Sequence, residues 1–252
     1  MKEQEIQEEQ YTYPYHYLPH SSNGAFHQHA YWSWGFRYLG GMHVAKALCD
    51  EESYFSLLDL GCGDGRFISE LSRDGTERRL MGVDYSERAI VLAKALNPGL
   101  DYRVADITSE DLEEHQFDVV TLVEVIEHIP PDYLPRFVER AVSFLRPGGR
   151  LVLTVPHRNS PVSDKHFQHF DSQMLRNLLD AHLDNLRFQP FDFFSRTLDL
   201  WFRLLGRTGK YFLITWQPLL DAFYNYYISR CVYGQDESKC GRIACVGWKP
   251  QA

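Results

Sequence analysis

The segment LLDLGCGDGRF at residues 57–67 constrains the fold of this chain more than any other. An apolar, strand-compatible run leads into a Gly-x-Gly-x-Gly turn, and apolar Phe67, Ile68 and Leu71 then recur on one side of a helical pattern. A strand, a glycine turn and a helix in this order are typical of a βα unit, in which a nucleotide meets bare backbone at a helix N-terminus. A glycine turn can also occur only because the backbone packs tightly there. Other parts of the sequence are therefore needed to distinguish a nucleotide site from a packing turn.

Predicted strands and helices alternate after this turn. We expect strands at 56–60, 80–83, 102–105, 117–123, 150–155, 186–194 and 241–248, and helices at 40–48, 65–72, 86–96, 130–145 and 172–183. Ser86 is a suitable N-cap, and Ala89, Ile90, Ala93 and Leu96 form the expected buried side of the helix that follows. The run FDVVTLV is apolar almost throughout, which is typical of a strand buried on both faces. The alternation predicts a doubly wound α/β fold with a mostly parallel sheet.

Both flanks of this core are rich in aromatic residues. A glutamate- and glutamine-rich leader at 1–10, which we expect to be disordered, precedes an aromatic and histidine-rich arm that extends to about residue 40. The arm either packs its rings on the core or faces a ligand. Residues 197–233 are aromatic and amphipathic, so we expect a helical insertion or lid over 195–240, with a dimer surface or a membrane contact as alternatives. With no internal repeat and no linker, the chain is predicted to form a single domain over 1–252.

Composition excludes several classes of protein. The net charge of −8 gives no strong nucleic-acid signal. Five cysteines without a C-x-x-C pair indicate a reducing compartment, and the spacing of Cys231, Cys240 and Cys245 fits no structural zinc site. The N-terminus has no apolar signal-peptide core, and no run of 18 apolar residues occurs. We therefore expect a cytoplasmic protein without a transmembrane segment.

Two acidic residues follow predicted strands. Asp84 lies 23 positions after Gly61, at the end of the second strand, where a carboxylate meets a nucleoside ribose. Asp106 follows the third strand, where an adenine amino group could donate to it. The third glycine of the turn, Gly65, lies one place too early for the dinucleotide pattern G-x-G-x-x-G.

These motifs resemble those of class I S-adenosylmethionine-dependent methyltransferases. The resemblance covers roughly residues 55–185 and rests on DLGCGDG, Asp84, VADI at 104–107, FDVV and LRPGGRLVLTVP. It implies a seven-stranded sheet in the order 3-2-1-4-5-7-6 with the last strand antiparallel, and S-adenosylmethionine bound over the glycine turn. The cofactor-binding residues that it implies are Asp59, Gly61, Cys62, Gly63, Asp84, Tyr85, Asp106, Ile107 and Glu124.

The segment EVIEH places Glu124, Glu127 and His128 at i, i+3 and i+4, so a helical turn would point all three in one direction. Two adjacent carboxylates repel each other unless a cation or a proton lies between them. Oxygen ligands favour Mg²⁺, and the imidazole also suits Mn²⁺, Fe²⁺ or Zn²⁺. The alternative is that the segment only holds the cofactor loop and caps the helix.

A histidine-rich loop follows the fifth strand, with His157 and the run KHFQHF at 165–170. With EVIEH it resembles metal-dependent O-methyltransferases that act on the 3′-terminal ribose of small RNAs and on ubiquinone precursors. The resemblance implies the metal ligands Glu124, Glu127, His128 and His169, with His166 as the second choice for the last, and an ion that is Mg²⁺ or Mn²⁺. As catalytic residue, a neighbouring histidine would take the proton of the acceptor hydroxyl, and without a metal His128 or His166 would serve as the base alone. Alternatively, these histidines are solvated or stack on aromatic rings.

The sequence thus predicts an S-adenosylmethionine-dependent O-methyltransferase, assisted by a divalent metal, that acts on a sugar, a glycan or another hydroxylated small molecule. YPYHYLP and VPHRN…KHFQHF are similar to segments of bacterial methyltransferases of polysaccharide and surface-glycan synthesis. The alternatives are an RNA 2′-O-methyltransferase, a non-catalytic partner protein that binds S-adenosylmethionine, and a nicotinamide-dependent oxidoreductase. A homodimer is a further expectation.

Overall fold

A computed structural model describes residues 19–22, 25–28, 34–108, 112, 116–206 and 212–251, the first two ranges by their backbone alone. The leader at 1–10 and most of the aromatic arm lie outside these residues. The chain divides into two compact units, one of Met1–Tyr38 with Ser195–Tyr227 and one of Leu39–Phe194 with Ile228–Ala252. The single domain over 1–252 stays a prediction.

The described strands and helices alternate over the central part of the chain. The strands are β1 (Pro19–Ser22), β2 (Ala25–Gln28), β3 (Ser56–Leu60), β4 (Arg79–Asp84), β5 (Asp101–Val104), β6 (Phe117–Val123), β7 (Leu145–Pro156), β8 (Asp184–Phe193) and β9 (Cys240–Trp248). The α-helices are α1 (Gly35–Cys49), α2 (Arg66–Ser72), α3 (Glu87–Leu96), α4 (Leu134–Ser143), α5 (Ser172–Leu179), α6 (Arg196–Leu204) and α7 (Gln217–Arg230).

A seven-stranded sheet has the order β5-β4-β3-β6-β7-β9-β8, while β1 and β2 form a separate antiparallel hairpin. Numbered from β3, this is the predicted order 3-2-1-4-5-7-6. The strands β3 to β7 pair in parallel, and β9 runs antiparallel to both β7 and β8. The predicted fold class is therefore confirmed, and the carboxyl ends of the parallel strands meet at one edge.

The central strands β3 and β6 form where predicted because their apolar residues are covered on both faces of the sheet. All five residues of β3 are buried, and Leu57 and Leu58 are fully inaccessible. Each fully buried leucine contributes about 1.5–3 kcal/mol of hydrophobic free energy. This packing makes β3 a rigid support for the turn that follows it.

The structure corrects the predicted helix boundaries and buried faces. Ser86 caps α3 as expected, since its Oγ accepts a hydrogen bond from Ala89 N at 3.3 Å. Leu96, however, is 41% exposed rather than buried, because α3 packs on the outermost strands β4 and β5 and only Ile90 and Ala93 are covered. The helix expected at 130–145 begins four residues later, at Leu134, with Pro135 in its first turn, where a missing N–H costs no helical hydrogen bond.

The predicted break at 146–149 is part of β7. Pro147 and Gly148 suggest a turn by their type, but β7 begins at Leu145 and its pairing with β6 shifts between Phe117 and Val119. The additional residues are accommodated as a bulge, with Gly148 at φ 71°. A local pattern does not distinguish such a bulge from a turn.

The insertion between β8 and β9 is helical, as predicted, and contains α6 and α7. Within its compact unit, Phe36 contacts the rings of Phe212 and Phe223 at centroid distances of 5.5 and 4.6 Å, and Trp201 stacks on Phe223 at 5.7 Å. Aromatic pairs of this kind contribute about 0.5–1.5 kcal/mol beyond the area that they bury. Every helix in the described part of the chain is too short or too polar to cross a membrane.

Candidate active site

The glycine turn after β3 needs residues without side chains. Gly61, Gly63 and Gly65 all have positive φ, at 78°, 55° and 79°. A Cβ at Gly61 would lie 2.7 Å from Val125 Cγ2, and one at Gly65 would lie 2.5 Å from the ring of Tyr102, whose hydroxyl donates to Gly65 O at 3.0 Å. Backbone conformation and close packing therefore both require glycine at Gly61 and Gly65.

Asp84 connects the end of β4 to the glycine turn. Its Oδ2 accepts a hydrogen bond from Gly63 N at 2.9 Å, and its Oδ1 accepts one from Ser86 N at 2.8 Å. A carboxylate offers about four lone-pair sites, so these two bonds leave acceptor capacity for a ribose diol. The side chain is held in place and is also able to bind a ligand.

A cavity of about 580 Å³ opens at this edge of the sheet. Its walls include the ends of β3, β4 and β6, the segment after β5 and the start of α4. The lining residues are Leu60, Gly61, Val83, Asp84, Tyr85, Ala105, Asp106, Ile107, Thr108, Glu124, Val125, His128, Ile129, Pro130, Tyr133 and Phe137. A cavity of this size suits a nucleoside-containing ligand.

Six of the nine predicted cofactor-binding residues line the cavity, together with residues that the sequence did not indicate. Asp59, Cys62 and Gly63 are outside its lining. Tyr133 and Phe137 were missed because a helix pattern does not show which of its aromatic residues reach a cavity. Tyr85 and Tyr133, at the cavity, are 81% and 61% exposed, which leaves two aromatic faces accessible.

Asp59 lies within β3, below the turn, and is 2% exposed. Thr121 Oγ1 donates a hydrogen bond to its Oδ1 at 2.6 Å. Burial, with the nearby charge of Asp84, raises the pKa of Asp59 to about 7 despite that bond. The structure therefore places this carboxyl as a support between β3 and β6, and its predicted role as a cofactor ligand stays a prediction.

Glu124 is the first residue after β6 and adopts a positive φ of 57°, which is strained for a residue with a side chain. Its Oε2 pairs with Arg242 Nε of β9 at 3.1 Å, while its Oε1 is buried and accepts no hydrogen bond from the described residues. The sequence did not indicate Arg242, because this residue reaches the edge of the sheet only through the antiparallel pairing of β9 with β7.

Glu127, His128 and His166 form a group whose ligand atoms all lie within 4.8 Å of one another. His128 Nε2 is 3.9 Å from Glu127 Oε1, and both residues belong to a 3₁₀ turn at Ile126–His128. Glu127 is 1% exposed, and its Oε2 accepts no hydrogen bond from the described residues. Burial and the charge of Glu124 raise the pKa of Glu127 to about 9.

The loop after β7 supplies the histidines. His166 Nδ1 lies 2.8 Å from His169 Nε2, and His169 Nδ1 lies 3.0 Å from Ser160 O. His128 Nδ1 lies 3.0 Å from Lys165 O. Burial, with the positive charge of Arg242 nearby, lowers the pKa of His166 to about 4, so this imidazole is neutral at pH 7.

Of the predicted metal ligands, the structure brings Glu127 and His128 together with His166, the second choice for the loop histidine. His169, the first choice, is outside this group and contacts His166. Glu124 is also outside the group and pairs with Arg242. The ligand assignment itself stays a prediction. His157 is 3% exposed and outside this group, because its Nε2 bonds to Glu237 Oε1 at 3.1 Å.

Part of this chain is similar to known methyltransferases. Residues 58–153 match the family model described as a methyltransferase domain. The chain is 34% identical over 109 residues to the ubiquinone biosynthesis O-methyltransferase of Aeromonas salmonicida, covering 41% of this chain and 44% of that protein. It is 30% identical over 132 residues to a probable S-adenosylmethionine-dependent methyltransferase of Mycolicibacterium smegmatis, covering 50% of each. The chain thus spans about half the length of these relatives.

Solved structures show the same fold. A methyltransferase from Archaeoglobus fulgidus, described as dependent on S-adenosylmethionine, aligns with a TM-score of 0.59 at 16% identity, over 86% of this chain and 97% of that one. The N-methyltransferase NodS from Bradyrhizobium japonicum, in complex with S-adenosylhomocysteine, aligns with a TM-score of 0.56 at 15% identity, over 86% and 88%. These two structures support the fold, and the match to a methyltransferase domain extends over residues 58–153.

Proposed function

We propose that the protein is an S-adenosylmethionine-dependent O-methyltransferase, assisted by a divalent metal, whose acceptor is a hydroxyl of a sugar, a glycan or another hydroxylated small molecule. One observation carries the proposal: a single cavity adjoins both Asp84 with the glycine turn and His128 of the Glu127, His128 and His166 group. The relative named as a ubiquinone biosynthesis enzyme is also an O-methyltransferase.

The cofactor side of the cavity fits the donor. Gly61 lines the cavity, where it presents bare backbone, and Asp84 is fixed by two backbone N–H groups with acceptor capacity remaining. Asp106 and Ile107 line the wall where we expect adenine, and Tyr85 offers a face for stacking. The bound donor supplies a methyl group already activated on a sulfonium.

The acceptor side fits a divalent cation. The buried oxygens Glu127 Oε2 and Glu124 Oε1 accept no hydrogen bond from the described residues, and two carboxyl groups this close need a proton or a cation to offset their repulsion. A cation held by Glu127, His128 and His166 would satisfy the group, and this mixed oxygen and imidazole set suits Mg²⁺ or Mn²⁺. When bound, the metal lowers the pKa of a coordinated hydroxyl.

The chain then aligns the reactants and moves one proton. Alignment of an acceptor oxygen with the methyl carbon supplies about 7–11 kcal/mol of the barrier. A bond forms between the acceptor oxygen and the methyl carbon as the bond from that carbon to sulfur breaks, leaving an ether and a thioether. With a cation held by both histidines, the acidified hydroxyl would release its proton to solvent; without a cation, the lone pair of His128 or His166 would accept it.

Methyl transfer from labelled S-adenosylmethionine to a panel of sugars, glycans and catechols tests the proposal. We expect transfer to one acceptor class that stops after treatment with EDTA and returns when Mg²⁺ or Mn²⁺ is added. Full activity in EDTA would reject the metal. A thermal shift with NAD but none with S-adenosylhomocysteine would reject the methyltransferase itself.

A further inference from the structure

We infer that His169 is a positioning residue that fixes the tautomer of His166, so that the lone pair of His166 lies on Nε2 and is available to the group with Glu127 and His128. Only its consequence for metal binding rests on the proposed function. Its physical basis is a chain of two hydrogen bonds, from Ser160 O through His169 to His166, neither of which requires a bound ligand.

The chain of hydrogen bonds begins at a backbone carbonyl. His169 Nδ1 lies 3.0 Å from Ser160 O, and a carbonyl oxygen only accepts, so the proton of His169 is on Nδ1. The neutral form of His169 therefore has its lone pair on Nε2, on a side chain that is 6% exposed.

The position of the proton on His169 determines the position of the proton on His166. Two unprotonated nitrogens at 2.8 Å would repel each other, so His166 Nδ1 carries a proton and donates it to His169 Nε2. The lone pair of His166 is then on Nε2. His128 follows the same rule, because its Nδ1 lies 3.0 Å from Lys165 O, and its Nε2 is the nitrogen closest to Glu127.

The position of Ser160 is itself fixed from β9 and the segment before it. Ser160 N donates to His157 O at 2.9 Å, and Ser160 Oγ donates to Gly241 O at 3.2 Å. His157 accepts from Asn159 N on Nδ1, at 3.1 Å, and therefore donates from Nε2 to Glu237 Oε1.

Glu237 also accepts from Ser172 N and Ser172 Oγ, at 2.9 and 2.8 Å, and Asn159 Nδ2 donates to Glu237 O at 2.7 Å. Glu237 thus anchors the start of the histidine loop to α5. The hydrogen-bond chain through His169 therefore starts from a fixed position at Ser160 O. The same contacts explain why His157 is buried without belonging to the candidate metal group.

This arrangement makes a prediction about which histidine is a ligand. The Nε2 of His169 is occupied by the proton of His166, so His169 acts through His166 and does not itself bind the cation. Partners of this kind typically change metal affinity by about 10–100-fold when they are removed. The first sequence-based choice, His169 as a ligand, would be replaced by His166.

The test combines nitrogen NMR with Mn²⁺ binding. In the metal-free wild-type protein, imidazole ¹⁵N–¹H correlation spectra should show His166 with a pyrrole-type Nδ1 and a pyridine-type Nε2. His169→Leu should abolish this preference and weaken Mn²⁺ binding by about 10–100-fold, whereas His169→Gln, whose amide oxygen still accepts from His166, should stay within about threefold of the wild type. His182→Leu, which removes a histidine outside these hydrogen bonds, is the matched control.

An Nε2-protonated His166 in the wild type would overturn the inference, and so would equal losses of Mn²⁺ affinity in the Leu and Gln variants, since His169 would then be a ligand. The NMR result keeps the two proposals distinguishable. The expected tautomer without any Mn²⁺ binding would support the positioning role of His169 and reject the metal in the proposed function.

Discussion

The two sides of the cavity are built by different means. The cofactor side is formed by backbone: three glycines with positive φ and two N–H groups that hold Asp84. The acceptor side is formed by side chains, in which Glu127, His128 and His166 from two separate loops are oriented by carbonyls and by another histidine. A backbone site depends on a few short motifs, whereas a side-chain site depends on contacts between distant segments.

The largest effect that we predict is on the backbone side, where Gly65→Ala should lower the free energy of unfolding by about 3–5 kcal/mol. The new Cβ meets the Tyr102 ring at 2.5 Å, in addition to the cost of positive φ. Gly63→Ala is the matched control, because its φ is also positive but nothing lies within 4 Å of the added Cβ. It should cost only about 1–2 kcal/mol. Equal losses in urea denaturation would show that packing on Tyr102 does not matter.

A smaller effect is expected when the carboxylate of Asp84 is removed. Asp84→Ala should weaken S-adenosylmethionine binding about tenfold or more, since a hydrogen bond to a charged group contributes about 1.5–3 kcal/mol. Mn²⁺ affinity should stay unchanged if the two sides are independent. Asp101→Ala, which removes an exposed carboxylate paired with Arg103, controls for net charge. Calorimetry that finds the donor bound equally well by Asp84→Ala would exclude the ribose role.

The same contrast explains what the sequence could predict. The strands β3 and β6 were predicted with their observed bounds, because continuous apolar runs and a glycine turn are local signals. The sheet order followed from the family resemblance. Asp84 could be placed at the cavity because parallel strands end at a common edge.

Other parts of the site had no local signal. Arg242 reaches Glu124 only through the antiparallel pairing of β9, and Ser160 acts through a carbonyl that every residue has. The choice between His166 and His169 depended on hydrogen bonds, which the motif KHFQHF does not contain. Tyr133 and Phe137 were missed for a similar reason, since the start of α4 decides which side chains reach the cavity.

Calorimetric titration of Mn²⁺ into the protein saturated with S-adenosylhomocysteine tests the central claim most directly. The account predicts one Mn²⁺ per chain in the wild type and a loss of affinity of at least about 100-fold in Glu127→Gln, with S-adenosylhomocysteine bound equally by both. The variant keeps the shape of the side chain and removes its charge. Mn²⁺ binding of equal strength in Glu127→Gln, or none in the wild type, would contradict the account.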